Sequence, residues 1–227
     1  GSFVLKAGED LDLEIGDLTG LDPARTGVPG ERLGFVFQSA EHSGQVTVTR
    51  RPSRVTASTL AFTRLDREVL NSHLQVTLDI AGGGLRELNI GLSESAGQEL
   101  RFRLLRPAAG IVEQRASDPE KGVRNWTLLL DRRLRGEIVL AVDVVTPRGA
   151  DIEYAAHQVT VQGAERVSGF VAFEAAAEQQ LNLKSADIAG LPLSSVDPVD
   201  VPPPFSYSPQ QRIVEAFRYH VPGYSVT

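Results

Sequence analysis

The feature that most constrains the fold is an alternation of apolar and polar residues that runs from His73 to Leu92. In its first half, Leu74, Val76, Leu78 and Ile80 take every second position. Successive side chains of a β-strand point to opposite faces, so this pattern predicts a strand with one buried and one solvated face. The run Ala81 to Gly84 predicts a chain reversal, because glycine adopts positive φ without a steric penalty. The alternation resumes afterwards, which predicts a β-hairpin.

The same kind of pattern recurs along the chain. Trp126 to Leu130 and Ile138 to Val144 are predicted strands on either side of a turn at Arg132 to Gly136. Val139 and Ala141 make the second of these strands apolar on both faces, which predicts that it is covered on both sides. About ten to twelve short strands with turns between them are typical of sandwiches. We therefore predict an all-β fold, an antiparallel β-sandwich that is large or stacked and has little helix.

Near the N-terminus, Leu11 to Ile15 and Gln45 to Arg50 are predicted strands. In the second of them, Val46 and Val48 are expected to face the core, and Thr47 and Thr49 the solvent. The region Leu33 to Phe37 is predicted to precede it as a neighbouring strand.

The chain is predicted to have three parts. Residues 1–184 form the β-sandwich core, with a late hairpin that joins Phe170–Phe173 to Gln180–Leu183. Residues 185–209, rich in Pro and Ser, form a linker or a segment that covers a sheet edge. Residues 210–227 form a C-terminal strand that packs back on the core. Ser208-Pro209 would also suit the start of a helix, but β-branched and aromatic residues favour the strand.

Composition excludes several classes of function. The 227 residues are 41% hydrophobic and 23% charged, enough for a substantial core. There is no Cys, which rules out disulfides and thiolate chemistry. The net charge of −6 argues against nucleic-acid binding, and no apolar run is long enough to span a membrane. Gly1-Ser2 at the start and the lack of Met indicate a piece of a longer protein, and the dominance of Arg over Lys suggests a bacterial source.

No motif for catalysis or cofactor binding is present. His42, His73, His157 and His220 lack metal-site spacing, and His73 is expected on a solvated face. No nucleophile elbow occurs, and the glycines at 82–84 do not open a helix that could hold phosphate. We predict no catalytic residue, no metal and no cofactor.

Two alternatives involve acidic residues. Asp10, Asp12 and Glu14 could offer oxygen ligands to calcium, but the glycine-containing loop of specific calcium sites is missing and a solvated strand face is the preferred interpretation. The acids best placed for a glycosidase pair are on or beside strands: Glu113, Asp131, Asp143 and Glu153. Solvated strand faces are the preferred explanation of these four.

Three stretches of the chain carry a resemblance to known proteins. The runs from Leu74 to Ile80 and from Gly84 to Ile90, and the tail from Ala216 to Tyr219 before Pro222-Gly223-Tyr224, resemble β-rich segments of large bacterial envelope or secreted proteins of unassigned function. They also resemble non-catalytic β domains of some large hydrolases. The resemblance implies a periplasmic, cell-surface or secreted location, and it carries over no catalytic residue.

The sequence therefore predicts a non-catalytic structural or interaction module of a larger bacterial envelope or extracellular protein. Its partners would be the rest of the parent polypeptide or other envelope proteins. The alternative is a carbohydrate-binding module, or a mutarotase- or glycosidase-like sandwich domain of an enzyme. Aromatic and basic side chains are the predicted binding residues: Phe205, Tyr207, Tyr219, Tyr224, Arg50, Arg51 and Arg54.

Overall fold

The computed structural model describes residues 1–147, 153–178 and 180–227. Over these residues the chain is built of β-strands, with short 3-10 turns at Glu94–Ala96 and Pro198–Asp200, so the all-β, sandwich-like class is confirmed. No helix in the described part of the chain is long and apolar enough to cross a membrane. The chain divides into two compact units, Gly1–Ser53 with Gly82–Gly84, and Arg54–Ala81 with Leu85–Thr227.

The first unit holds two small antiparallel sheets. Its strands are β1 (Ser2–Leu5), β2 (Leu11–Thr19), β3 (Asp22–Pro23), β4 (Leu33–Val36) and β5 (Ser43–Arg50). One sheet has the order β1-β4-β3, and the other is a ribbon of β2 and β5. The strands predicted at Leu33 to Phe37 and Gln45 to Arg50 therefore exist, but they lie in different sheets and are not neighbours.

The second unit contains the large sheet. Its strands are β6 (Ser53–Leu65), β7 (Val69–Ser93), β8 (Arg103–Arg106), β9 (Ile111–Ala116), β10 (Val123–Pro147), β11 (Val159–Val161), β12 (Arg166–Ala175), β13 (Ala186–Ile188), β14 (Leu191–Pro192), β15 (Ser194–Ser195), β16 (Arg212–Tyr219) and β17 (Tyr224–Val226). The large sheet has the order β15-β16-β12-β6-β7-β10-β8, with β11 beside β7 and β9 beside β10. Strands β14, β13 and β17 form a small second sheet.

The predicted hairpin at residues 73–92 is wrong in one respect, because the glycines do not reverse the chain. Strand β7 continues through them and pairs antiparallel with β10 on both sides, with Ile80 opposite Gly136 and Leu85 opposite Leu134. A Cβ atom on Gly82 would collide with the carbonyl oxygen of Pro52. These glycines therefore allow a close approach of two backbones. The turn predicted at Arg132 to Gly136 is likewise an irregularity within the continuous strand β10.

The alternation itself predicts the core correctly. Leu74, Val76, Leu78 and Ile80 are buried, and so are Trp126, Leu128, Leu130, Leu140 and Val142 on β10. Val139 and Ala141 are buried too, which confirms that this part of β10 is covered on both faces.

A second, smaller core lies on the opposite face of the large sheet. Leu60 and Phe62 on β6, Ala172 on β12 and Ala216 on β16 are buried there, under hydrophobic side chains from residues 196–207. Strand β15 also pairs with β16 through Ser194 and Ser195. The proline-rich region thus covers a face of the sheet as well as an edge. We call residues 196–211 the strap.

Two predictions about late strands have different outcomes. The tail forms a strand, β16, which pairs antiparallel with β12 and confirms the preference for strand over helix. Gln180 to Leu183 form no strand, and β12 instead runs parallel to β6 on its other side. The stretch from Ile152 to Val161, where the sequence also predicts a strand, begins outside the described residues, and in its described part only Val159–Val161 is a strand.

The packing of Trp126 provides a test of the main core. Its indole is buried, with its ring centre 5.5 Å from that of Phe102. Truncation of a buried Trp leaves a large cavity, so Trp126→Ala should lower the free energy of unfolding by about 3–5 kcal/mol. Denaturant titration measures this change. Val112→Ala, at an exposed position of β9, is the control and should change stability by less than about 0.5 kcal/mol. Equal stability of the two variants would contradict the assignment.

Candidate functional site

The strap meets the sheet at a cluster of polar side chains centred on His73. This residue was predicted to face solvent but is only 3% exposed, because Tyr207 of the strap stacks on its ring at 4.5 Å. The Nδ1–H of His73 donates to Oδ1 of Asp143 at 2.6 Å, and Arg103 donates to the other carboxylate oxygen at 2.5 Å. The Nε2 atom of His73 is buried and has no hydrogen-bond partner among the described residues. The His73 ring thus lies beneath the strap, whereas the Asp143 side chain is exposed.

Glu174 on β12 anchors the same strap. Its side chain is fully buried, and Oε1 accepts a hydrogen bond from the Tyr207 hydroxyl at 2.5 Å. Oε2 accepts the backbone N–H groups of Gln210 at 2.7 Å and Gln211 at 3.0 Å. A buried carboxylate is tolerated when donors satisfy it in this way. Burial, followed by the bond to Glu174, raises the pKa of the Tyr207 hydroxyl, which therefore remains a donor.

Gln75 makes a further attachment between sheet and strap. Its side-chain oxygen accepts the backbone N–H of Phe205 at 2.7 Å, and Gln75 is itself buried. The polar residues that alternate with the core residues at the start of β7 therefore hold another part of the chain.

A second buried histidine, His157, sits between hydroxyl groups. Its Nδ1 lies 2.9 Å from Oγ of Ser72, and its Nε2 lies 3.1 Å from Oγ1 of Thr146. A serine beside a histidine can form a nucleophile and base, but the second nitrogen then usually meets a carboxylate that orients the ring. Here it meets a hydroxyl, and Ser72 is buried. The arrangement fits a structural hydrogen-bond chain.

The second unit also contains a cavity of about 550 Å³. Much of its lining is apolar, and Glu153 and Lys184, which form an ion pair, also border it. The lining residues are Thr63, Leu65, Leu70, Glu153, Tyr154, Ala156, Phe173, Gln180, Leu181, Asn182, Leu183, Lys184 and Thr227. A volume of this size can hold a small apolar ligand. Sequence patterns could not reveal it, because its walls come from segments far apart in the chain.

The predicted aromatic binding residues have different environments. Phe205 is 55% exposed on the strap, and Tyr207 is half-buried against His73. Tyr219 and Tyr224 are core residues, with their ring centres 5.0 Å apart, and are not on the surface where a binding role would need them. Burial raises the pKa of Tyr219 to about 12. The hydroxyl of Tyr224 donates to the backbone carbonyl of His157 at 2.7 Å.

The predicted basic residues each lie beside a carboxylate. Arg51 donates to Asp12 at 2.6 Å, and Arg50 lies 4.0 Å from Asp10. Arg54 donates to Glu165 at 3.3 Å. These pairs lower the positive charge available to an acidic partner. They also place two of the three acids considered as calcium ligands beside arginines.

The acids considered for glycosidase chemistry are also engaged. Glu113 accepts from Arg115 at 2.6 Å, and Asp131 accepts the backbone N–H of Gly110 at 3.0 Å. Asp143 and Glu153 bind the partners described above. Among the described residues, no group of three or more His, Asp and Glu side chains is arranged to hold a metal ion.

Comparison with known proteins gives little further information. No family model matches the chain, and no curated protein matches it. Among solved structures, the chain is similar to native leukotriene A4 hydrolase from Saccharomyces cerevisiae, with 9% sequence identity and a TM-score of 0.40. The match covers 77% of this chain and 28% of that enzyme's chain. A likeness this low carries no argument about function.

Substitution of Glu174 tests whether this side chain holds the strap on the sheet. Glu174→Gln replaces one acceptor oxygen by an N–H₂ group, which must face donors. We expect the free energy of unfolding to fall by about 1–3 kcal/mol, with faster proteolysis inside residues 196–211. Glu215→Gln, at an exposed position of β16, is the matched control and should leave both measurements unchanged. Identical proteolysis of the two variants would contradict the anchoring role.

The burial of His157 predicts how the free energy of unfolding depends on pH. Burial lowers its pKa from the ordinary value of 6.5. In the unfolded chain the ring binds a proton as the pH falls through about 6.5, whereas the folded ring stays neutral. His157 therefore favours folding above that pH, and this contribution is lost as the pH falls towards the lowered pKa.

The measurement is the free energy of unfolding from about pH 7.5 down to about pH 5.5. His157→Gln should show a smaller decrease on acidification than the unsubstituted chain, even if it is less stable overall. His220→Gln, at an exposed histidine, should retain the full decrease. Parallel pH profiles for His157→Gln and the unsubstituted chain would refute the assignment.

Proposed function

We propose that this chain is a non-catalytic β-sandwich module that serves structure or protein interaction within a larger bacterial envelope or extracellular protein. The main support for the proposal is that the histidine and the buried carboxylate on the outer face of the large sheet both hold the strap. His73 is stacked under Tyr207, and both oxygens of Glu174 accept bonds from the strap. These side chains hold the protein together where an enzyme would expose them to substrate.

The environment of the remaining acids supports the same proposal. A glycosidase needs one carboxylic acid and one carboxylate free to act on the sugar. Asp143 is instead bonded to His73 and Arg103, and Glu113 to Arg115. Each of these acids is therefore engaged by a neighbouring side chain of the same chain.

The proposed partners are the rest of the parent polypeptide or other envelope proteins. Exposed hydrophobic side chains are consistent with contact to another protein. On the strap these include Val199 and Phe205, beside the sites where the strap is attached to the sheet. The alternative role, in carbohydrate binding, would rest on Phe205 as the exposed aromatic among the predicted residues.

The test is a glycan array together with a panel of chromogenic glycosides, with an active glycosidase as positive control. We expect neither specific sugar binding nor turnover. Sugar binding that disappears in Phe205→Ala would replace the proposal by a carbohydrate-binding module. Turnover that disappears in Asp143→Asn or Glu153→Gln, but persists in Glu215→Gln, would replace it by an enzyme.

A further inference from the structure

The ribbon of β2 and β5 leaves an apolar face partly open to solvent. Leu13 pairs with Val48, and Ile15 with Val46, so these four side chains share one face. Val48 was predicted to face the core but is 54% exposed, and Ile15 is exposed as well. A two-stranded ribbon is marginally stable alone and gains from a third strand with an apolar face.

The two edges of the ribbon differ in charge. Strand β2 carries Asp12, Glu14 and Asp17, and edge charges of this kind oppose pairing with another strand. Strand β5 is uncharged from Ser43 to Thr49, and its outer edge pairs with no strand of the described chain.

Strand β5 also differs from the other outer strands by its length. It has 8 residues, whereas the outer strands of the described chain other than β2 have at most 6. Several of those short strands carry charges or proline: Arg103 and Arg106 on β8, Glu113 and Arg115 on β9, Pro23 on β3 and Pro192 on β14. Short length, charge and proline all block edge pairing, and β5 has none of these features between Ser43 and Thr49.

Hydrogen bonding fixes which backbone groups of β5 point outwards. The N–H of Arg51 donates to the carbonyl of Asp10 at 2.9 Å. Bonded and non-bonded pairs alternate in an antiparallel ladder, so Thr49 and Thr47 direct their backbone groups towards β2. Val48 and Val46 consequently direct theirs away from it.

We propose that β5 pairs antiparallel with β5 of a second copy of this chain, about a two-fold axis at Thr47. This register places Val46 of each copy opposite Val48 of the other, so that their outward backbone groups meet as bonded pairs. It brings no two like charges together, whereas pairing of two β2 edges would oppose acids. An isologous contact of this kind closes as a dimer. The inference deepens the proposed interaction role and rests on it.

The test measures self-association of the full 227-residue chain by sedimentation equilibrium over a range of concentrations. The unsubstituted chain should form a dimer. Thr47→Lys puts two lysines opposite each other at the axis, and should weaken the dimer roughly fivefold, which corresponds to about 1 kcal/mol. Thr49→Lys adds the same charge to the same strand but faces Gln45 of the second copy. It is the matched control and should leave the dimer unchanged.

Two further measurements test whether the dimer forms through β5. A mixture of Thr47→Lys and Thr47→Glu should restore association, because opposite charges then meet at the axis. Val48→Pro removes an outward N–H that does not bond to β2, so this variant should be monomeric, with melting measured to establish that it is folded. If Val48→Pro is unfolded, the Thr47 mixture decides the question.

A monomeric unsubstituted chain at the highest soluble concentration would overturn the dimer, as would equal association of Thr47→Lys and Thr49→Lys. Neither result bears on the glycan and glycoside tests. Failure of the dimer is therefore distinguishable from failure of the proposed non-catalytic function.

Discussion

The large sheet is apolar on both faces where β6, β12 and β16 lie side by side, and this constraint determines much of the structure. One face packs into the main core, and the other would expose Leu60, Phe62 and Ala172 to water without a cover. Burial of each large apolar side chain stabilises a fold by about 1.5–3 kcal/mol. The strap supplies the cover. A segment this rich in proline cannot join a sheet as a central strand, but it can lie across a face.

The cover requires polar attachments, because an extended segment has backbone groups that must find partners. Glu174 accepts two of them, and Gln75 accepts a third from Phe205. This arrangement accounts for polar side chains within the sheet without reference to catalysis. It also explains why His73 lies buried beneath Tyr207 while its partner, Asp143, remains exposed at the surface.

The sequence predicted the strands well and their connections poorly. Alternation identifies the buried face of β7, and the main core follows from it. It does not show what covers the opposite face, so His73 was wrongly expected in solvent. Glycines at 82–84 suit a chain reversal and a close approach of two backbones equally well. The sequence does not show that the carbonyl oxygen of Pro52 lies against Gly82. The partners of Glu174 lie more than thirty positions along the chain, beyond the reach of local patterns.

If the strap closes the outer face of the sheet as part of the folded structure, its anchored amides must be protected from solvent. Hydrogen exchange at the backbone amides of Gln210 and Gln211 tests it most directly, because both amides donate to a fully buried carboxylate. We expect them to exchange as slowly as amides in the interior of β12, through opening of the fold. Exchange at the rate of an exposed loop, with β12 still protected, would show that the strap is detached and the face open, and would contradict the account.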